Sequence, residues 1–291
     1  MISPKNIDQW TTIIKPRSGW LELKIGELFH YRDLIMLFVK RDFVAIYKQT
    51  ILGPIWFIIQ PIFSTLAFTL IFGNVAKIPT DSIPHALFYL SGIICWNYFS
   101  SCLIKTSDTF IANSYIFGKV YFPRLTVPIS IIITNLITFL IQFILFIGVF
   151  LYYYYTQPNI HPNVGIVFLP FLIMQIALLG LGFGIIISSL TTRYRDFNYL
   201  LGFGIQLWMY GTPIVYPLTE IPDKWKLLFI LNPMTAIVET FRYSFIGKGG
   251  VSALYLIISV IMTIILLIIG LLLFSRVEKN FWTAPSIKDG V

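Results

Sequence analysis

Charge is what this sequence has least of. Asp, Glu, Lys and Arg make up 12% of its 291 residues, about half the share of an ordinary globular chain. Hydrophobic residues reach 57% and the mean hydropathy is +0.80. That balance excludes a soluble domain and leaves an integral membrane protein. Cysteine is nearly absent: Cys95 and Cys102 stand about two helical turns apart, too far to bridge, and read as small buried side chains. His30, His85 and His161 fall in three different segments without ligand spacing, which argues against a zinc site. No G-x-x-x-x-G-K-[ST] occurs, because Gly118-Lys119 is followed by Val120 and Gly247-Lys248 by Gly249. The chain is therefore not its own nucleotide hydrolase by that route, and no cofactor is expected in it. No closely spaced carboxylates lie in an apolar run, which weakens a proton-coupled pump.

What is present is length without charge. Charge-free runs cover Gln49 to Ala76, Ser82 to Ile104, Leu125 to Thr192, Phe197 to Thr219 and Gly249 to Ser275. The third is 68 residues, roughly three times the ~20 needed to span the hydrocarbon, and it divides at the turn-rich residues 156 to 165. An all-α membrane protein with six spans is expected: 51–72, 86–104, 127–151, 166–190, 198–216 and 253–275. With a cytoplasmic N-terminus, 16 of the 21 Lys and Arg residues fall in inside segments and 5 in outside ones, which places both termini in the cytoplasm. The same bias accounts for the net charge of +8 without nucleic acid as a partner. Residues 1–27 are polar and lack a signal-peptide core, so the first span is expected to be retained.

The stretch that organises the chain is residues 28–48 running into the first span. On a helical wheel His30, Asp33, Lys40, Arg41 and Lys48 share an arc about 100° wide, with Leu34, Ile35, Leu37, Phe38, Phe43, Val44 and Ile46 mostly opposite; Arg32 and Asp42 break the pattern. This amphipathic helix is expected to lie among the headgroups, its stripe facing anionic lipid or a soluble partner. Gln60-Pro61 kinks the first span and either lines a path or packs on neighbours. Residues 105–124 form an inner loop longer and more aromatic than a plain connection. With Phe110, Phe117 and Lys119 it reads as a second partner contact. Tyr152 to Tyr155 suit a membrane-interface belt, and Gly180 and Gly184 a close helix approach.

Residues 213–250 are too apolar for a soluble outer loop and too interrupted to span. Pro222-Asp223 starts one short helix; Asn232-Pro233 reads as N-cap plus first-turn proline of a second, which Gly247 can end. A re-entrant or surface-lying hairpin is expected, with Glu239 and Arg242 paired at i, i+3, either as a functional pair or as a structural one. Trp56, Tyr98, Phe99 and Trp208 offer rings that can stack on sugars or simply pack.

Several motifs in order then resemble one family. Tyr47-Lys48-Gln49-Thr50-Ile51-Leu52-Gly53 with Trp56 and Gln60-Pro61 is similar to the start of the membrane subunits of type-2 ABC exporters for polysaccharides. So are Lys119-Val120-Tyr121-Phe122-Pro123-Arg124, Arg193-Tyr194-Arg195-Asp196, Thr212-Pro213-Ile214-Val215-Tyr216-Pro217 and Leu231-Asn232-Pro233. The likeness runs over about residues 25 to 275, and the family exports O-antigen, capsular polysaccharide or teichoic acid. It implies a homodimer in the bacterial inner membrane, driven by two copies of a separate Walker A subunit that holds ATP and Mg, and moving a lipid-linked polysaccharide outward. Residues 28–48 would be the interface helix and 105–124 the coupling loop, with Lys40, Arg41, Lys48, Phe110, Phe117 and Lys119 meeting the partner. The hairpin 213–250 would be the outer gate; Trp56, Gln60, Tyr98, Phe99, Trp208, Tyr216, Glu239 and Arg242 are the conduit and gate candidates. Residues 276–291 would form a cytoplasmic tail. Rival expectations are a drug or small-lipid exporter of the same fold, and a membrane-embedded acyl- or glycosyltransferase using Glu220, Asp223 and Glu239.

Overall fold

The structure, a computed structural model, describes residues 25–48, 51–120, 122–191, 194, 196–249 and 252–283. Arg193, Arg195, Tyr121, most of the N-terminal segment and the end of the tail lie outside them. Among the described residues there is no strand. The helices are α1 (Ile25–His30), α2 (Arg32–Lys48), α3 (Trp56–Phe68), α4 (His85–Ser107), α5 (Thr109–Ala112), α6 (Ser114–Phe117), α7 (Thr126–Thr156), α8 (Leu169–Thr191), α9 (Phe197–Tyr210), α10 (Asp223–Leu231), α11 (Pro233–Ile246) and α12 (Ala253–Thr283).

Among the described residues five helical stretches are long and apolar enough to cross a membrane: Gly53–Val75, His85–Ser107, Thr126–Thr156, Val164–Thr191 and Ala253–Val277. Gly53–Val75 is composite. A 3-10 turn leads into α3, which contains Pro61, and a π-helical turn, Thr69–Val75, follows. The expected span over 198–216 is shorter, because α9 stops after 14 residues at Tyr210. Gly211 and Pro213 end it there, proline having no N–H to continue the ladder. At 1.5 Å per residue α9 is about 21 Å long, less than the ~30 Å hydrocarbon core.

Helix α4 is the centre, with α8, α7 and α3 around it and α12 behind α8. Small residues set the spacing. A Cβ on Gly180 would stand 2.7 Å from the Cys102 Cβ, and one on Gly184 2.5 Å from the Thr106 Cβ, so both expected glycines face α4. On the other side Gly182 meets Leu266 and Leu267 of α12, and Gly270 meets the Gly182 carbonyl. Without a hydrophobic force between helices in lipid, such close approach supplies the association through dispersion contacts. Buried polar links add direction: Gln175 Nε2 donates to Ser259 Oγ at 2.7 Å, and the Thr191 hydroxyl to the Ser107 carbonyl at 3.2 Å. Cys95 and Cys102 are buried free thiols, as expected.

A second, smaller core lies at the end of the bundle that carries α2, α5 and α6. There Phe38, Phe110, Phe117, Phe122 and Phe274 join α2 and the 105–124 loop to the far end of α12. At the opposite end Tyr152, Tyr154 and Tyr155 are exposed, consistent with an aromatic belt.

Gly184→Ala is expected to lower the thermal stability of the detergent-solubilised protein by about 1–3 kcal/mol, since the Thr106 side chain and the Leu103 carbonyl stand in the way. Gly148→Ala on α7, where nothing lies within 4 Å, should be neutral or stabilising by up to about 1 kcal/mol. Melting curves of the two variants side by side make the comparison.

Candidate functional site

The hairpin forms where its sequence signals stand. Pro222 precedes α10, whose first turn carries Asp223. Asn232 interrupts the two helices in an extended conformation and caps α11, its Oδ1 accepting from the Met234 N–H at 3.1 Å with Pro233 in the first turn. Gly247 ends α11 at φ 75, a left-handed conformation that glycine adopts without a Cβ penalty. Asn232 does more than cap. Its Nδ2 donates to the Gly211 carbonyl at 3.0 Å and to Thr212 Oγ1 at 2.9 Å, while Trp208 Nε1 donates to its Oδ1 at 3.1 Å. One amide thus joins the end of α9 to the turn of the hairpin.

The two helices differ in burial: α10 buries no residue, whereas α11 buries all but Tyr243. Phe241 and Phe245 dock α11 on α7 by packing against Phe143 and Phe146, members of an α7 ladder that runs from Phe139 to Phe150.

Arg242 is the largest fully buried side chain among the described residues, 1% exposed. A guanidinium has five N–H donors, and here five bonds can be counted. Nε donates to Ser91 Oγ at 3.2 Å; Nη1 to Glu239 Oε1 at 3.1 Å and to the Pro213 carbonyl; Nη2 to the Ile214 carbonyl at 2.9 Å and the Phe88 carbonyl at 3.3 Å. The Phe88 ring lies 3.7 Å from Cζ, adding a cation–π contact. Gly92 makes room, since a Cβ there would come within 2.9 Å of Nη2. The expected pair with Glu239 therefore exists, but it is one bond in a socket built by α4, α11 and the 211–217 turn. A charge out of water needs this degree of satisfaction to persist.

A clasp closes the same end. Asp81 and Ser82, in the loop before α4, have φ 50 and 60. The Thr219 hydroxyl, ahead of α10, donates to the Asp81 carboxylate at 2.9 and 3.1 Å, and Lys248 Nζ, past α11, donates to the Ser82 carbonyl at 3.3 Å. Both chain ends of the hairpin thus converge on two residues held in left-handed conformation.

The remaining candidates are dispersed. Trp56 and Gln60 are exposed on the first spanning segment. Tyr98 and Phe99 are buried: Tyr98 packs on Phe139 at 5.1 Å, and Phe99 meets Trp208 at 5.0 Å, with Phe183 4.8 Å from Trp208. Trp208 and Tyr216 are half-buried, and the Tyr216 hydroxyl donates to the Tyr210 carbonyl. On α2, Lys40 and Lys48 are exposed, while Arg41 pairs with Asp42 at 2.8 Å and lies over the Phe38 ring. Phe110 and Phe117 point into the smaller core with Arg124 over both rings, so the loop presents Ile111, Tyr115, Lys119 and Val120 instead. Ser91, Gly92 and Asp81 carry no sequence signal of their role, because nothing in a charge-free run or a short loop points to a distant partner. Asn232 was recognisable as a cap, not as a junction.

Residues 33–246, from the start of α2 to the end of α11, match the family model described as ABC-2 type transporter. The chain belongs to the ABC-2 type transporter family. Among similar proteins, the O-antigen export system permease protein RfbA of Klebsiella pneumoniae is 29% identical over 261 residues, 90% of this chain and 97% of that protein. RfbA of Myxococcus xanthus is 26% identical over 223 residues, 76% and 83% of the two chains. The polysialic acid transport protein KpsM of Escherichia coli is 24% identical over 247 residues, covering 80% and 89%. The matched span of this ABC-2 type transporter takes in the amphipathic helix, the socket of Arg242 and both helices of the hairpin.

Arg242→Met should destabilise the protein by about 3–5 kcal/mol, because Glu239 is then left buried without its partner. Glu239→Gln keeps an acceptor for Nη1 but removes the counter-charge of a buried guanidinium that cannot shed its proton, and should also destabilise. A melting series of the two single variants and the double variant checks this: if the losses simply add, the two side chains are not coupled.

Proposed function

We propose that this chain is the membrane-spanning permease subunit of a polysaccharide exporter, working as a homodimer in a bacterial inner membrane with two copies of an ATP-binding subunit. The observation that carries the reading is the family match together with relatives named for O-antigen and polysialic acid transport, aligned over three quarters or more of the chain. The cargo is a lipid-linked, O-antigen-like polymer moved from the cytoplasmic to the outer side. The likeness to KpsM favours a capsular polysaccharide as the second reading.

The sequence carries no phosphate-binding loop of the Walker type, so the free energy for conformational change comes from a partner. The contacts to that partner fall to α2, with Lys40, Arg41 and Lys48, and to the 105–124 loop through Lys119 and its exposed neighbours. Phe110 and Phe117 act from behind, carrying displacement of the loop into α12 through Phe274. Two surfaces support a second copy. Only 11% of the most apolar window in Gly53–Val75 is buried, and α9 exposes Tyr199, Leu200, Phe203 and Leu207. A conduit formed between copies would take its lining from such faces, with Trp56 and Gln60 available on the first span. Tyr98, Phe99 and Trp208 would back the wall. The six-span arrangement, with α9 as a short fifth crossing and α10–α11 as the outer gate, belongs to this reading, as do cytoplasmic termini. A transferase site has little support, since Glu220 and Asp223 are exposed while Glu239 is committed to Arg242.

Purification of the tagged protein in mild detergent is expected to bring down a stoichiometric soluble subunit with a Walker A motif, identified by mass spectrometry. A stable chain that comes down alone would overturn the assignment of its energy source. Alanine at Trp56 and at Gln60 should each lower polymer export, measured as surface glycan, without lowering the amount of protein in the membrane; unchanged export removes both from the conduit.

A further inference from the structure

Beneath Glu239 lies a cavity that nothing above uses. It is largely enclosed, lined by Leu218, Thr235, Ala236, Glu239, Thr240, Ser252 and Tyr255, with about 10 Å³ open to the centre of a water molecule. That is the room one water needs. Thr235, on the cavity wall, is 1% exposed, and its Oγ1 has no hydrogen-bond partner among the described residues. In a well-packed core such a hydroxyl is rare.

We propose that this cavity is a built site for one ordered water, which joins the Thr235 hydroxyl to the Glu239 carboxylate. The lining supplies the two to four polar partners that a buried water requires. Thr235 can donate or accept, Glu239 has a second carboxylate oxygen besides the one held by Arg242, and the Thr240 hydroxyl donates to the Ala236 carbonyl at 2.6 Å and still has lone pairs free to accept. Ser252 and Tyr255 bring the start of α12 to the same cavity. Charge selects a neutral occupant. A cation would sit beside the carboxylate that Arg242 already neutralises and would be repelled by the guanidinium bonded to it. An anion would meet Glu239 itself. The water ties polar groups of α11 together on the side that faces the start of α12. On its other side, α11 is fixed to α4 by the direct bonds of Arg242.

The test turns on a sign. Thr235→Val keeps the shape and removes the hydroxyl. If that hydroxyl is satisfied by water, the full-length protein in detergent should lose about 3 °C or more in melting temperature, and Thr235→Ser should restore most of the loss. If the hydroxyl has no partner, removing it leaves the melting temperature unchanged or raises it, which overturns the proposal. A wild-type map at a resolution that shows ordered water decides independently, even where the valine variant does not fold. Density between Thr235 and Glu239 is expected, and an empty cavity rejects the site.

Discussion

A guanidinium held out of water must find an acceptor for every N–H, and that requirement shapes one whole end of this molecule. Arg242 has its acceptors on α4, on the 211–217 turn and on its own helix, so none of these can shift without stranding a donor. The constraint extends outward from there. Gly92 has to lack a side chain, and α11 has to be buried. The burial is achieved by Phe241 and Phe245 against the phenylalanine ladder of α7. Removing such a pair altogether, with apolar residues of the same shape, need not destabilise; removing one partner does. The arrangement is therefore better regarded as specifying one position for the hairpin than as adding to stability.

The hairpin itself is held in two ways. Arg242 fixes it through buried bonds and Asn232 through partly buried ones, whereas the Asp81–Ser82 clasp uses exposed ones. Exposed polar contacts contribute little net free energy, and left-handed non-glycine residues cost some. The helix pair is therefore held firmly at α11 and only weakly at its two chain ends.

Much of this was legible in the sequence because it rests on local rules. Asn232-Pro233 and Gly247 marked the limits of α11, Gly180 and Gly184 marked the close face of α8, and Glu239 and Arg242 stood at pairing distance. What stayed hidden depends on tertiary direction. In a segment apolar on every side, periodicity cannot tell a face toward lipid from one toward protein. Tyr98 and Phe99, candidates for a conduit, accordingly lie in the core. Phe110 and Phe117 were legible as important loop aromatics but not as inward-facing ones, since their partner Phe274 is more than 150 residues away. The end of α9 is hidden for a related reason: the charge-free run continues past Tyr210 although the helix does not.

Helix α4 has a consequence for how the protein is made. Of the five candidate spans it is the least apolar, yet 78% of its apolar stretch is buried, the highest share among them. Helix α12 is the reverse, the most apolar and among the least buried. Partitioning into lipid one segment at a time would therefore favour α12 strongly and α4 weakly, since Ser91, Asn97, Ser100 and Ser101 face a bilayer until neighbours arrive. The structural centre of the protein is thus the segment with the least affinity for the membrane on its own. Of the five it is the segment that lipid alone favours least, and the packing of α7 and α8 covers the polar groups that lipid does not.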